Sequence, residues 1–178
     1  MRVIGGQLKG RRFQPPAKNW PTRPTTDMAR EALFNILQNR LDFEDLKALD
    51  LFGGSGSQCY ELFSRGCRDI TYVDRHYACV KFVKQQVVTF EAKDAIRIVR
   101  ADVFKFIKSD SHLYDYIFCD PPYGLDSLGF IPDLIFEYGL LVEGGVLVME
   151  HDQRTDFSDH VRCTEVRSYG GSKFSFFE

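Results

Sequence analysis

The run FCDPPYG, residues 118–124, places an acid, two prolines and a tyrosine directly after an apolar stretch. Neither proline carries a backbone N–H, so a strand stops there. The Asp120 carboxylate, the Pro121 carbonyl and the Tyr123 ring are left at the strand end. Such a group can stabilise a fold, or it can grip a flat ligand that bears an amine. In the second case Asp120 and the Pro121 carbonyl accept the amine hydrogens and Tyr123 stacks on the ring.

A second candidate lies upstream in DLFGGSG, residues 50–56. Gly54 and Gly56 let the backbone approach a ligand closely and lead into a helix N-terminus. No GK[ST] follows, which excludes a P-loop. Cys59 stands where a dinucleotide fingerprint needs its third glycine. Asp74 ends the next strand, where it can accept from ribose hydroxyls or serve as a solvated strand-end acid. Asp102 ends the one after. It can receive an adenine amino group or cap the helix that follows.

The elements that must position these groups alternate between strand and helix. Thr25 and Thr26 precede a helical pattern over 27–39. Strands are predicted at 46–52, 69–74, 95–102, 114–120 and 144–152. Helices are predicted between them at 57–66, 77–90, 103–109 and 127–141, the last despite Pro132. The tail, 161–178, has two extended runs joined at YGGS and reads as an antiparallel hairpin. The result is an α/β chain with a parallel sheet, an antiparallel end and helices on both faces. Ligands of such sheets bind beyond the carboxyl ends of the strands, which brings positions 50–56, 74, 102 and 120–123 to one rim.

The chain has 178 residues, which suits one domain with a small appendage. No apolar run is long enough for a membrane span, and the N-terminus lacks a signal-peptide core. Five cysteines without a CxxC pair suggest neither a zinc knuckle nor a disulfide framework, and point to a reducing compartment. Net charge is −2, yet residues 1–30 hold seven Lys or Arg against Asp27 alone. That gives the first 30 residues +6 and the remainder −8. A basic arm on an acidic body points to an anionic partner at one end, or to a merely solvated cluster. His76, His151, Asp152 and Trp20 are expected in packing or loop roles, with RNA contact open for the last three.

Taken in order, the glycine turn, the two strand-end acids and DPPY resemble class I S-adenosylmethionine-dependent methyltransferases with an amine-methylating [DNS]PP[YF] motif. More narrowly, MRVIGGQLKGRRF, RPTTDMAREALFNIL, LDLFGGSG, LFSRG and DYIFCDPPYG resemble the RsmD family, over residues 1 to about 150. The resemblance implies a Rossmann-like, mostly parallel seven-stranded sheet with a C-terminal antiparallel hairpin. It implies a catalytic domain at 27–178 behind a basic RNA-contacting arm at 1–26. The implied reaction moves a methyl group from S-adenosylmethionine to N2 of a guanine in 16S rRNA. The partner is the small ribosomal subunit or its assembly intermediate.

Carried onto this chain, the resemblance assigns Asp120, Pro121 and Tyr123 to catalysis. It assigns Asp50, Gly54, Gly56, Asp74 and Asp102 to the cofactor, and Arg2, Lys9, Arg11, Arg12, Arg23 and Arg30 to RNA phosphates. No metal is required, and a cytoplasmic monomer is implied. The chain departs from the family form FAGSGALG around its glycines, including Gln58 and Cys59, and has Met28 where an arginine is common. DPPY alone also suits a DNA adenine-N6 or protein glutamine methyltransferase. The basic arm alone suits a non-catalytic RNA-binding module.

Overall fold

In the computed structural model, which describes residues 1–16, 20–21 and 25–178, five helices surround one seven-stranded sheet. The first helix, α1 (Asp27–Leu37), begins where Thr26 accepts a hydrogen bond from the Ala29 amide at 3.2 Å. Strand and helix then alternate through β1 (Lys47–Leu51), α2 (Ser57–Ser64), β2 (Asp69–Asp74), α3 (Tyr77–Thr89) and β3 (Ile96–Arg100). They continue through α4 (Val103–Ser109), β4 (Tyr114–Cys119), α5 (Ile131–Glu137) and β5 (Leu141–His151). The chain ends in the hairpin β6 (Cys163–Tyr169) and β7 (Ser172–Phe177).

The sheet order is β3-β2-β1-β4-β5-β7-β6. The first five strands pair in parallel, and β7 lies antiparallel between β5 and β6. This is the Rossmann-like arrangement expected from the alternation and the hairpin-like tail. Successive strand residues feed opposite cores. Tyr116, Phe118 and Val148 join Leu33, Tyr60 and Val83 on one face. Ile117, Cys119 and Leu147 join Phe106, Ile131 and Ile135 on the other. Covering both faces explains why the central strands are apolar throughout instead of alternating with polar residues.

The predicted helix at 127–141 divides. Residues 128–130 form a 3-10 turn, and α5 starts with Pro132 in its first turn, where the missing N–H costs nothing. Gly139 then takes a left-handed φ of 63° and ends the element early. Among the described residues no helix is long and apolar enough to cross a membrane.

The N-terminal arm is a short hairpin built into the core. Arg2 and Arg12 form an antiparallel bridge, and Val3 and Phe13 are buried. Phe13 meets Tyr60 edge-on at 5.0 Å. The Ile4 and Gly5 amides both donate to the buried Glu61 carboxylate of α2, each at 2.8 Å. Trp20 packs edge-on against Phe82 of α3.

Candidate active site

The strand order reverses between β1 and β4, and a cavity of about 360 Å³ opens there beyond the carboxyl ends of the strands. The predicted residues at 50, 54, 74, 102, 120, 121 and 123 all line it. Gly56 stands at its edge as the N-cap of α2.

One half is built on the β1–α2 turn. Phe52, Gly54 and Gly56 all adopt left-handed backbone, with φ of 58°, 50° and 77°. A Cβ at Gly56 would also meet the Tyr60 hydroxyl at 2.7 Å, and one at Gly53 would lie 2.4 Å from the Tyr72 ring. Side chains are therefore excluded on both steric and backbone grounds at Gly56. Asp74 fastens this turn to the end of β2. Its Oδ2 accepts the Gly54 amide at 2.9 Å, and its Oδ1 accepts the His76 amide at 2.7 Å. Each oxygen retains acceptor capacity toward the cavity. Asp102 caps α4 through the Lys105 amide at 3.2 Å while also lining the cavity.

Asp50 sits beneath the turn, buried, and accepts a hydrogen bond from the Cys59 thiol at 3.1 Å. Burial pushes its carboxyl up to about 7. The Cys59 bond works against that rise, and the charge of Asp74 adds to it. The cysteine in place of a third glycine thus has a structural reason.

The other half is built on β4 and β5. The Asp120 amide donates to the Leu51 carbonyl, and the Pro122 carbonyl closes a turn by accepting the Gly124 amide at 2.9 Å. Burial holds the Asp120 carboxyl well above the usual carboxylate range, and the charges of Glu150 and Asp50 raise it further. Glu150 is itself 2% exposed. It accepts from the Thr25 hydroxyl at 2.7 Å and from the Tyr123 hydroxyl at 3.5 Å. The Tyr123 hydroxyl also lies 3.1 Å from Ser172, so the C-terminal hairpin forms a wall of the site.

Five carboxylates (Asp50, Asp74, Asp102, Asp120, Glu150) line the cavity. Such a field favours a cationic ligand. Among the described residues no three His, Cys, Asp or Glu side chains converge in the manner of a metal site.

Glu150 and Ser172 escaped the reading of the sequence, and Gln58 entered it only as a departure from the family's glycine loop. For Glu150 the signal was present, because an acid inside the buried run VLVME needs a partner or a task. His151, one residue on, turns into the core, where its ring nitrogens meet Ser175 at 2.7 Å and the Asp152 carbonyl at 2.9 Å.

The RNA-contact residues are scattered. Arg2, Lys9, Arg11 and Arg12 are exposed, but none lines the cavity. The Arg11 guanidinium lies over Phe90, at the end of α3 remote from the strand tips. Arg23 lies outside the described residues. Arg30 is corrected by the structure. Its guanidinium is fully buried, bonded to the Arg2 carbonyl and to Asp27 at 2.8 Å, so it braces the arm against α1 and offers nothing to a phosphate. Two other arginines stand at the cavity. Arg75 lines the cavity, and the exposed Arg154 donates to the Tyr123 carbonyl at 3.3 Å.

Comparison with known proteins accords with this geometry. The family model described as Conserved hypothetical protein 95 matches residues 1–178. YlbH of Bacillus subtilis (strain 168) is 35% identical over 96% of this chain and 94% of its own length. Ribosomal RNA small subunit methyltransferase D of Escherichia coli (strain K12) is 30% identical over 85% of this chain and 75% of its own. The solved structure of yhhF from Escherichia coli superposes with a TM-score of 0.85 at 26% identity, covering 99% of this chain and 96% of that one. A glycine turn, strand-end acids and DPPY around one cavity, together with a family match along the whole length, place the chain in the Conserved hypothetical protein 95 family, the RsmD-type methyltransferases.

Proposed function

We propose that this enzyme methylates N2 of a guanine in 16S rRNA, within the small ribosomal subunit or an assembly intermediate of it, acting as a cytoplasmic monomer. The observation that carries the reading is the presence of two buried acids, Asp120 and Glu150, in the lining of one cavity, near enough for the charge of Glu150 to raise the Asp120 carboxyl. An amine acceptor alone does not choose among substrates. Adenine, cytosine and the glutamine amide each set an acceptor beside their amine. Guanine sets the acceptor N3 on one side of its amine and a ring N–H, at N1, on the other. With the Asp120 carboxylate and the Pro121 carbonyl receiving the N2 hydrogens, Glu150 receives N1–H. The same carboxylate repels the N1 lone pair of adenine, which counts against the DNA adenine alternative.

S-adenosylmethionine supplies an electrophilic methyl group on a sulfonium. The acid-lined cavity and the glycine-rich turn suit it. Asp50, Gly54, Gly56, Asp74 and Asp102 would hold it, with Asp74 toward the ribose and Asp102 toward the adenine. The chain's own work is orientation. Tyr123 stacks on the flipped base, and Asp120 aims the N2 lone pair. The raised basicity of Asp120 also suits it to take the proton that N2 releases. The arm at 1–26 contributes Arg2, Lys9, Arg11, Arg12 and Arg23 to phosphate contacts, beside the catalytic body at 27–178.

The test is transfer of labelled methyl groups to unmodified small subunits and to naked 16S RNA, with the product mapped by nuclease digestion and mass spectrometry. N2-methylguanine at one site is expected. Asp120→Ala should lower kcat by roughly 100- to 10,000-fold with cofactor affinity nearly intact. Near-normal turnover in that variant would remove Asp120 from the mechanism.

A further inference from the structure

Gln58 is the second residue of α2 and is 3% exposed. Neither its amide oxygen nor its amide nitrogen has a hydrogen-bond partner, and the residue is one of those that line the cavity. The other buried side chains with partnerless polar atoms among the described residues are Trp20, Arg30, Tyr60 and Tyr116, and none of those lines the cavity. An amide buried without partners is costly to the unliganded fold. Nothing in the packing requires it, since a leucine of similar volume would serve the apolar side of α2 without that cost.

From this geometry, and resting on the methyl-donor reading above, we infer that Gln58 binds the amino-acid end of the methyl donor. The chemistry is complementary. A zwitterionic amino acid presents an ammonium donor and a carboxylate acceptor on one carbon. The Gln58 amide presents an acceptor and a donor on one carbon. Its surroundings favour both partners. The N-terminus of the eight-residue α2 helix attracts the carboxylate, and buried Asp50 attracts the ammonium. Asp120 directly follows β4 and Glu150 lies on the neighbouring β5, whereas Gln58 lies on α2 after β1.

The experiment compares the full chain with Gln58→Leu by calorimetric titration of two ligands, S-adenosylhomocysteine and 5′-methylthioadenosine. The second keeps the nucleoside and sulfur but lacks the amino-acid end. Gln58→Leu should bind S-adenosylhomocysteine about 10- to 100-fold more weakly and bind 5′-methylthioadenosine within about twofold of the parent. Its unliganded melting temperature should equal or exceed the parent's, because the orphaned amide is gone. Gln58→Met, a second apolar replacement, should behave alike. Unchanged affinity for S-adenosylhomocysteine in either folded variant would overturn the inference, as would an equal loss for both ligands. If the parent chain binds neither ligand, the methyl-donor reading itself fails and this inference goes with it.

Discussion

At the scale of single residues, two buried acids divide the labour of the cavity. Glu150 is held by the Thr25 hydroxyl and touches the Tyr123 hydroxyl, so its carboxylate has a set orientation beside Asp120. Glu150→Gln keeps the volume and an oxygen for Thr25 but offers a donor where an acceptor stood. With small subunits carrying guanine at the target, kcat/KM should fall roughly 10- to 100-fold. With 2,6-diaminopurine there, whose N1 is an acceptor, the variant should lose far less and can gain. Equal losses on both substrates would reduce Glu150 to a structural brace. Asp50 gives a different signature. Its carboxyl titrates at about 7 in the folded chain because it is buried, against an ordinary value of 3.8. The folded state therefore holds a proton that the unfolded state has lost. That stabilisation is complete below about pH 4 and is lost as pH rises to 7, with a ceiling of roughly 4 kcal/mol. Asp50→Asn, unliganded, should match the parent's melting temperature near pH 4 and exceed it by several degrees at pH 8. Parallel melting curves across that range would show that Asp50 does not titrate as its burial requires.

At the scale of elements, the parts with strong local signals were legible in the sequence. β2, α4 and β4 fall where apolar runs and strand-end acids put them, and the YGGS turn of the hairpin is where two glycines allow it. The burial of Arg30 was hidden because its helical position looks the same whether it faces phosphate or protein; Asp27 and the Arg2 carbonyl decide that, and the carbonyl belongs to another element. The contribution of the hairpin to the site was hidden for the same reason. Ser172 meets Tyr123 across 49 residues of sequence. The arm shows what local patterning misses most. Its basic surface was evident, while its attachment through Glu61 was not. Glu61 is fully buried, accepts two arm amides and pairs with Arg65 at 2.9 Å. Glu61→Gln removes the charge and leaves one arm amide facing a donor. The expected cost is about 2–4 kcal/mol. Hydrogen exchange should quicken in residues 1–13 more than in the central strands. If the arm stays as protected as before, Val3 and Phe13 alone hold it in place.

At the scale of the whole molecule, charge and chemistry are separated. The cavity is lined by acids and suits a cationic ligand, yet the substrate proposed for it is a polyanion. Apart from Arg75, the basic residues of the arm and surface stand elsewhere. Arg75 and Arg154 lie at the rim, while Arg11 stacks on Phe90 at the far end of α3. That helix has 13 residues, which sets Arg11 roughly 20 Å from the strand tips. An RNA that fills the cavity with one base must extend over several nucleotides to reach Arg11. The arm then adds affinity without touching the reaction, and phosphate contacts of this kind are read by their salt dependence. Replacing Lys9, Arg11 and Arg12 together by alanine should weaken substrate binding at low salt. It should also reduce the slope of log K against log salt by about 2. Turnover at saturating substrate should be preserved, and so should affinity for S-adenosylhomocysteine, because none of the three lines the cavity. Short oligonucleotides that fill only the cavity should bind the variant and the parent equally. An unchanged salt slope with full-length substrate would place the phosphate contacts at the rim alone, with the arm's charge serving only solvation.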